Sequence, residues 1–305
     1  MPIDERLFDR ISQKRDLLNS LKPFDMGALR RLKRSFDVEF TYNSNAIEGN
    51  TLSLSETRMV LEDGITVGGK TLNEHLEAAN HGSAIEFVEG LVGKGKITEI
   101  DVLSLHALIL DRIDPQNAGF YRRHRVRISG TDYIPPKPSS IPEKVQNLYE
   151  MLNITGGEPI QQAAMIHMEF VNIHPFIDGN GRCARLLMNL YLMRCGLVPV
   201  IVQKRDRKRY IDHIVASQTR GDHVPFINFV ARCLDRSLTF YIDSLGDEED
   251  DHIKLAEASR ECRYSQEYLS LLARKGRIDA VKFGRIWMIS RKVLEDYVRE
   301  QDGRN

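Results

Sequence analysis

Apolar positions along most of this chain recur about three to four residues apart, with polar positions between them, which is the spacing of helices. Leu29 to Tyr42 is helix-compatible, Leu72 to Val92 carries its apolar residues on one face, and Gln161 to Val171 repeats the pattern. After Gly181, the run Arg182, Ala184, Arg185, Leu186, Leu187, Met188, Leu190, Tyr191, Leu192 and Met193 is apolar on more than one side. It predicts a largely buried helix that stops at Cys195-Gly196, where glycine can turn left-handed. Ser53 three residues before Glu56, and Thr98 before Asp101, are helix-start signals, and Gly64 to Lys70 reads as a glycine-rich turn. The expected class is mainly α. One stretch breaks the pattern: from Arg125 to Pro136, β-branched and aromatic residues flank Ser129-Gly130. That predicts a short hairpin ended by Pro135 and Pro136.

Gly246 is followed by five consecutive acids, Asp247 to Asp251, which repel one another and predict a solvated linker over 246–251. Beyond it, 252–305 carries twelve Lys and Arg against eight Asp and Glu and reads as a separate small unit. Leu255 to Cys262 reads as a helix, and Ser265 caps a second one ending at Lys275-Gly276. A hairpin with Gly284 at its turn follows, and Ser290 caps a last helix holding Leu294 and Tyr297.

Composition narrows the picture a little. The 305 residues hold 43 Lys and Arg and 43 Asp and Glu, so whole-chain charge argues neither for nor against nucleic acid. The four cysteines, Cys183, Cys195, Cys233 and Cys262, have no disulfide or metal spacing, which suits a reducing cytosol. The charged N-terminus lacks an apolar leader core, and no apolar run approaches the ~18 residues of a membrane span. A cytoplasmic location without a membrane partner is therefore expected.

The chemistry concentrates in His174-Pro175-Phe176-Ile177-Asp178-Gly179-Asn180-Gly181-Arg182-Cys183-Ala184-Arg185. Asp178 to Gly181 would sit at a helix N-terminus, where free amides and the helix dipole favour anions, and the glycines let backbone approach a ligand closely. Arg182 and Arg185, three apart, lie near one another on the helix surface and offer planar donors to one polyphosphate. Asp178 beside an anion calls for a cation, and magnesium is the natural one. His174 has the intrinsic pKa of a general base. Phe176 reads as a core anchor for the loop, and Cys183 as a spacer.

These residues resemble the signature of the Fic family (the Fic/Doc, or Fido, fold), H-x-F-x-[D/E]-G-N-G-R-x-x-R, with no position departing from it. The resemblance implies a helical Fido fold with a short hairpin flap. It also implies a protein adenylyltransferase that moves AMP from ATP to a Tyr, Thr or Ser hydroxyl of a target protein. Carried over, His174 is the base and Asp178 the Mg2+ ligand. Gly179, Asn180 and Gly181 are the anion cradle, and Arg182 and Arg185 clamp the phosphates. The kinase-like branch tends to carry Lys where this chain has Gly181, which favours AMP transfer. The implied layout is an N-terminal helical region over 1–95, a catalytic domain over 96–245, the linker 246–251 and a C-terminal domain over 252–305.

Three further segments gain meaning from the resemblance. Ser44-Asn45-Ala46-Ile47-Glu48-Gly49 resembles the family's inhibitory helix (about 28–49 here), which implies that Glu48 pairs with Arg185 and keeps the enzyme autoinhibited. A second role implied for Glu48 is to position a water for removing AMP. Ile128, Ser129, Gly130, Thr131 and Ile134 resemble the flap that aligns a target segment by strand addition. Tyr210 through Asp222 resembles the stretch beside the adenine, implying nucleoside contacts by Tyr210 and Gln218. The C-terminal unit resembles the winged helix-turn-helix of the excisionase and MerR-like group, in Arg-Lys-Gly-Arg-Ile and Phe-Gly-Arg-Ile-Trp. That implies a recognition helix from Ser265 to Lys275, with Lys282 and Arg285 on DNA phosphates. Glu267 near that helix's start is unhelpful beside DNA and leaves protein docking or a homodimer open. Two functions stand: a regulated adenylyltransferase, or a DNA-binding transcriptional regulator whose Fic-like domain senses nucleotide.

Overall fold

The computed structural model describes residues 2–22, 24, 26–128, 131–154, 156–246, 252–275, 277–278, 280–283 and 286–302. The chain divides into two compact units, Met1–Ser244 and Leu245–Asn305. The first is helical: α1 (Glu5–Ser20), α2 (Met26–Glu48), α3 (Leu54–Asp63), α4 (Leu72–Leu91), α5 (Glu99–Ile109), α6 (Ile141–Asn153), α7 (Pro159–Ile173), α8 (Asn180–Arg194), α9 (Arg207–Arg220) and α10 (Val224–Gly246, crossing into the boundary). Helix starts follow local chemistry. Ser53 and Thr71 cap α3 and α4 through reciprocal bonds with Glu56 and Glu74, and Asp101 Oδ2 accepts from the Thr98 backbone N–H at 2.8 Å.

Helix α8 is the centre of this unit. Its residues from Arg182 to Leu192 are all buried, and α7, α4, α5 and α2 pack against it. Each large apolar side chain so buried contributes about 1.5–3 kcal/mol, which leaves the helix little freedom to move. The two arginines are therefore presented from a fixed rod. Helix α8 ends where Gly196 takes φ 74° and the Leu197 N–H reaches back to the Leu192 carbonyl at 3.0 Å.

The hairpin expected over Arg125 to Pro136 is absent among the described residues. Residues 125–128 and 131–137 run without a ladder, and Ser129 and Gly130, its expected turn, lie outside the described residues. Pro135 and Pro136 have no N–H to give a partner strand. The segment is instead a strap held by side chains: Arg122 Nη2 donates to the Pro136 carbonyl at 2.7 Å, and the Tyr133 hydroxyl donates to the Asn172 carbonyl at 3.2 Å.

The second unit contains β1 (His252–Lys254), α11 (Leu255–Glu261), α12 (Gln266–Arg274), β2 (Ala280–Phe283), β3 (Ile286–Ser290) and α13 (Arg291–Asp302). Its antiparallel sheet has the order β1-β3-β2, with Ile253 opposite Ile289 and Val281 opposite Met288. Ile253, Leu255, Leu269, Leu272, Ile289 and Leu294 form its core. Strand β1 was not expected, since three residues beside an acid run carry too little pattern to read. The linker 247–251, Gly276, Gly284 and Arg285 lie outside the described residues. Among the described residues no helix is long and apolar enough to cross a membrane.

Candidate active site

Helix α7 ends at His174, which holds a left-handed conformation (φ 47°, ψ 61°) that costs a non-glycine residue roughly 1–2 kcal/mol. Arg122 stabilises that turn: its Nε donates to the His174 carbonyl at 2.7 Å, and its own N–H donates to the Pro175 carbonyl at 2.9 Å. The loop then folds back on itself. Asn180 Oδ1 accepts from the Phe176 N–H and its Nδ2 donates to the Phe176 carbonyl, both at 3.0 Å. Asn180 thus closes the loop with its side chain; only its backbone N–H, with those of Gly181 and Arg182, remains to face an anion.

His106 supports the loop from beneath. Its ring stacks flat on Phe176 at 3.6 Å, Nδ1 accepts from the Gly119 N–H at 3.0 Å, and Nε2 lies 3.1 Å from the Asp178 carbonyl. Because Gly119 is a donor, the proton sits on Nε2, which donates to Asp178. Gly179 turns over this ring with φ 75°, and a Cβ there would come within 3.3 Å of Ile109 and 3.4 Å of His106.

The two arginines face different partners. Arg185 is buried: Nη2 lies 2.8 Å from Glu48 Oε1 and 2.9 Å from the Ser44 carbonyl, Nε donates to Ser44 Oγ at 3.0 Å, and Nη1 donates to the Tyr210 hydroxyl at 3.4 Å. Burial works against its charge, but the Glu48 carboxylate and the Tyr210 hydroxyl offset it, so its pKa is raised. Arg182, also buried, has Nη1 3.3 Å from Glu77 Oε1 and Nη2 3.5 Å from Asp178 Oδ2. The Asp178 side chain is 65% exposed, so its carboxylate faces the opening of the site.

Glu48 stands at the last residue of α2. A carboxylate there opposes the helix dipole by about 0.3–1 kcal/mol, and the guanidinium of Arg185 compensates. Gly49 with φ 110° ends the helix. The segment is bolted down on both sides. Asn45 Nδ2 donates to the Glu77 carbonyl at 3.2 Å and Asn50 Nδ2 to Glu77 Oε2 at 2.8 Å, while Arg207 Nε donates to the Ile47 carbonyl at 2.7 Å.

Burial dominates the titration of the histidines here. It depresses His174 to about 4; the Val171 carbonyl, Glu48 and Asp178 pull upward, and Arg122 adds to the depression. His106 is likewise lowered to about 4 and His167 to about 3, so all three are neutral near pH 7. Cys183 is fully buried and its thiol is pushed up by desolvation, which makes it inert.

Of the candidate nucleoside contacts, Tyr210 is 2% exposed among Phe226 and Phe229. Its hydroxyl lies 2.8 Å from His167 Nε2. It stands behind Arg185 as a support, and its buried ring offers no face to an adenine. Gln218 is half-buried on α9, and its Oε1 lacks a protein partner among the described residues. Ile128 is half-buried, Thr131 half-buried and Ile134 68% exposed on the strap. Sequence reasoning missed Glu77, His106 and Arg122. The detectable signal was polar residues falling in apolar stripes: His106 lies between Val102 and Ile109 on the buried face of α5.

Comparison with known proteins identifies the family. The Fic/DOC family model matches residues 96–192. The solved structure of residues 134–508 of Fic-1 from C. elegans superposes with a TM-score of 0.71 at 34% identity, covering 78% of this chain and 72% of that one. The chain belongs to the Fic/DOC family. A Fic domain containing signaling protein from Bacteroides thetaiotaomicron also matches with a TM-score of 0.71 at 30% identity, over 79% of this chain and 99% of that one. The protein adenylyltransferase Fic of Aedes aegypti is 39% identical over 245 residues, 79% of this chain and 48% of its own. Its Drosophila melanogaster counterpart is 39% identical over 249 residues, 80% of this chain and 50% of its own. The chain thus spans about half the length of the curated Fic relatives it matches.

Proposed function

We propose that this Fic protein is an autoinhibited protein adenylyltransferase. The observation that carries the reading is the sharing of one buried guanidinium: Arg185 lies beside the free amides of the α8 N-terminus, where a phosphate belongs, and is held by Glu48. ATP is the proposed substrate. The target hydroxyl attacks the α-phosphorus, an O–P bond forms, the bond to the bridging oxygen breaks, and pyrophosphate leaves. Neutral His174 accepts the hydroxyl proton, and the phosphates brought by the nucleotide raise its pKa toward working pH. Arg182 and Arg185 bind the departing phosphates once released by Glu77 and Glu48.

Asp178 is the residue that would hold magnesium. Among the described residues no three His, Cys, Asp or Glu side chains could cage a metal. A single exposed carboxylate facing a phosphate site fits an ion completed by phosphate oxygens. When bound, the ion neutralises charge on the leaving group.

Glu48→Gly protein is incubated with a hydroxyl-bearing target and ATP labelled on the α-phosphate. Label in protein supports AMP transfer, and His174→Ala abolishes it. Label arriving from the γ-phosphate instead means a kinase. A nucleotide sensor would have no use for His174, so label transfer also separates the enzyme from the regulator. Removal of AMP by Glu48 is tested by following loss of label from modified target in the wild-type protein.

For the second unit we propose a winged helix-turn-helix with α12 as its recognition helix; the order helix, helix, hairpin, helix supports this. Helix α12 exposes Tyr268, Leu271 and Glu267, which favours docking to protein, or to a second copy, over DNA. A gel shift of the full chain with pooled genomic DNA decides: a shift lost with salt means DNA, and no shift at low salt means docking.

A further inference from the structure

The strap, residues 121–128 and 131–137, is clamped to the catalytic loop at both ends by one buried arginine. Arg122 spends its donors on carbonyls alone, at 2.7 Å on His174, 3.4 Å on Ile173, 3.0 Å on His124 and 2.7 Å on Pro136. Arg122 thereby holds the two ends of the strap as a template beside the His174 carbonyl. Within 125–128 no backbone group forms a hydrogen bond among the described residues, so the template offers free N–H and C=O groups.

The outward side chains of this template are strongly biased. Arg123, His124, Arg125, Arg127 and Lys137 are exposed, against a single exposed acid, Asp132; Glu169 of α7 acts on nearby Tyr133. The whole chain is neutral, so this is a local concentration of charge. None of Arg123, Arg125 or Arg127 meets a carboxylate among the described residues, whereas Arg182 and Arg185 are both paired. Large apolar side chains flank the same region: Phe120 at 59%, Ile134 at 68% and Ile177 at 38% exposure.

We infer that the strap selects its target by charge: the acceptor hydroxyl is presented by an extended, acidic polypeptide segment that also carries an apolar residue. This rests on the adenylyltransferase reading. Unpaired backbone suits strand addition by a peptide. A nucleic acid could use the exposed Phe120 and His124 rings, but it has no row of N–H and C=O groups to pair with the strap backbone, which favours a peptide. The phosphates of ATP are served by the arginines of α8, which leaves the strap cations for the target. Several exposed pairs acting together give selectivity of about tenfold or more at low salt, and salt screens it.

The test is fluorescence anisotropy with full-length Glu48→Gly protein and two peptides of equal length. Each has one central Thr, flanked by Asp and Glu in one and by Lys in the other. The acidic peptide is expected to bind at least tenfold more tightly, with the preference shrinking as salt rises and reversing in Arg125→Glu/Arg127→Glu. If that variant melts early, Arg125→Gln/Arg127→Gln must abolish the preference. Equal binding of the two peptides overturns the inference, as does acidic-peptide binding that survives charge reversal. So does a single-stranded oligonucleotide that binds more tightly than the acidic peptide and is lost with the same reversal. Label transfer without acidic preference sinks this inference alone, whereas no label transfer to any target sinks the reading beneath it.

Discussion

The carboxylate of Glu48 fills the space over Gly181: a Cβ at position 181 would collide with Glu48 Oε1 and lie 3.1 Å from Arg185 Nη1. Glu48 therefore sits in the backbone cradle as well as on the arginine. Gly181→Ala must push Glu48 off Arg185, at a cost of about 1–3 kcal/mol. Thermal melts should show the loss in the single variant and much of it recovered when Glu48→Gly is added. The two changes should be non-additive by about 1 kcal/mol or more; strict additivity would mean that the two sites do not touch.

Arg182 has its own partner. Glu77 takes both Arg182 and Asn50, so Glu77→Ala leaves a buried guanidinium with only Asp178 at 3.5 Å and strips Asn50 of an acceptor. We expect a loss of about 1–3 kcal/mol in urea unfolding, and a smaller loss for Glu77→Gln, whose single amide oxygen can still accept from Arg182 although its NH2 no longer accepts from Asn50. Equal losses would show that hydrogen bonding to Glu77 is unimportant.

Stability should fall on acidification. His106, His167 and His174 titrate near 4, 3 and 4 when folded, against 6.5 when free. The unfolded chain therefore takes up protons first, and stability present above pH 6.5 is lost progressively toward pH 4. Asp37, raised to about 6 chiefly by burial, and Glu39, also raised by burial, work in the opposite direction over part of that window, but His81 and His213, both lowered by burial, add to the three histidines. Melting temperatures measured from pH 7.5 to 4.5 should decline steadily; a flat profile would mean that these histidines are not buried.

Much of the site was legible because its chemistry is contiguous. His174 to Arg185 lie on one loop and one helical turn, and Ser44 and Glu48 are one turn apart, so spacing alone groups them. What could not be read depends on packing between distant helices. Glu77 reaches Arg182 only because α4 crosses α8, and His106 reaches Asp178 because α5 does. The expected hairpin is absent among the described residues for a related reason. Alternating β-branched residues from Arg125 onward signal extended backbone, but pairing depends on a partner, and Arg122 and Tyr133 fix the strap to the body instead. Tyr210 shows the same limit: its place in sequence suggested a ligand contact, and burial among Phe226 and Phe229 turned it into a support.

The account stands on the competition for Arg185, and the rate of AMP incorporation from α-labelled ATP tests it most directly. Four proteins are needed: wild type, Glu48→Gly, Arg185→Ala and the double variant. Glu48→Gly should exceed wild type by at least about tenfold, the difference worth about 1.4 kcal/mol, and the gain should vanish in the Arg185→Ala background, where no guanidinium is left to release. Equal rates for wild type and Glu48→Gly, or a gain of the same size without Arg185, would contradict it.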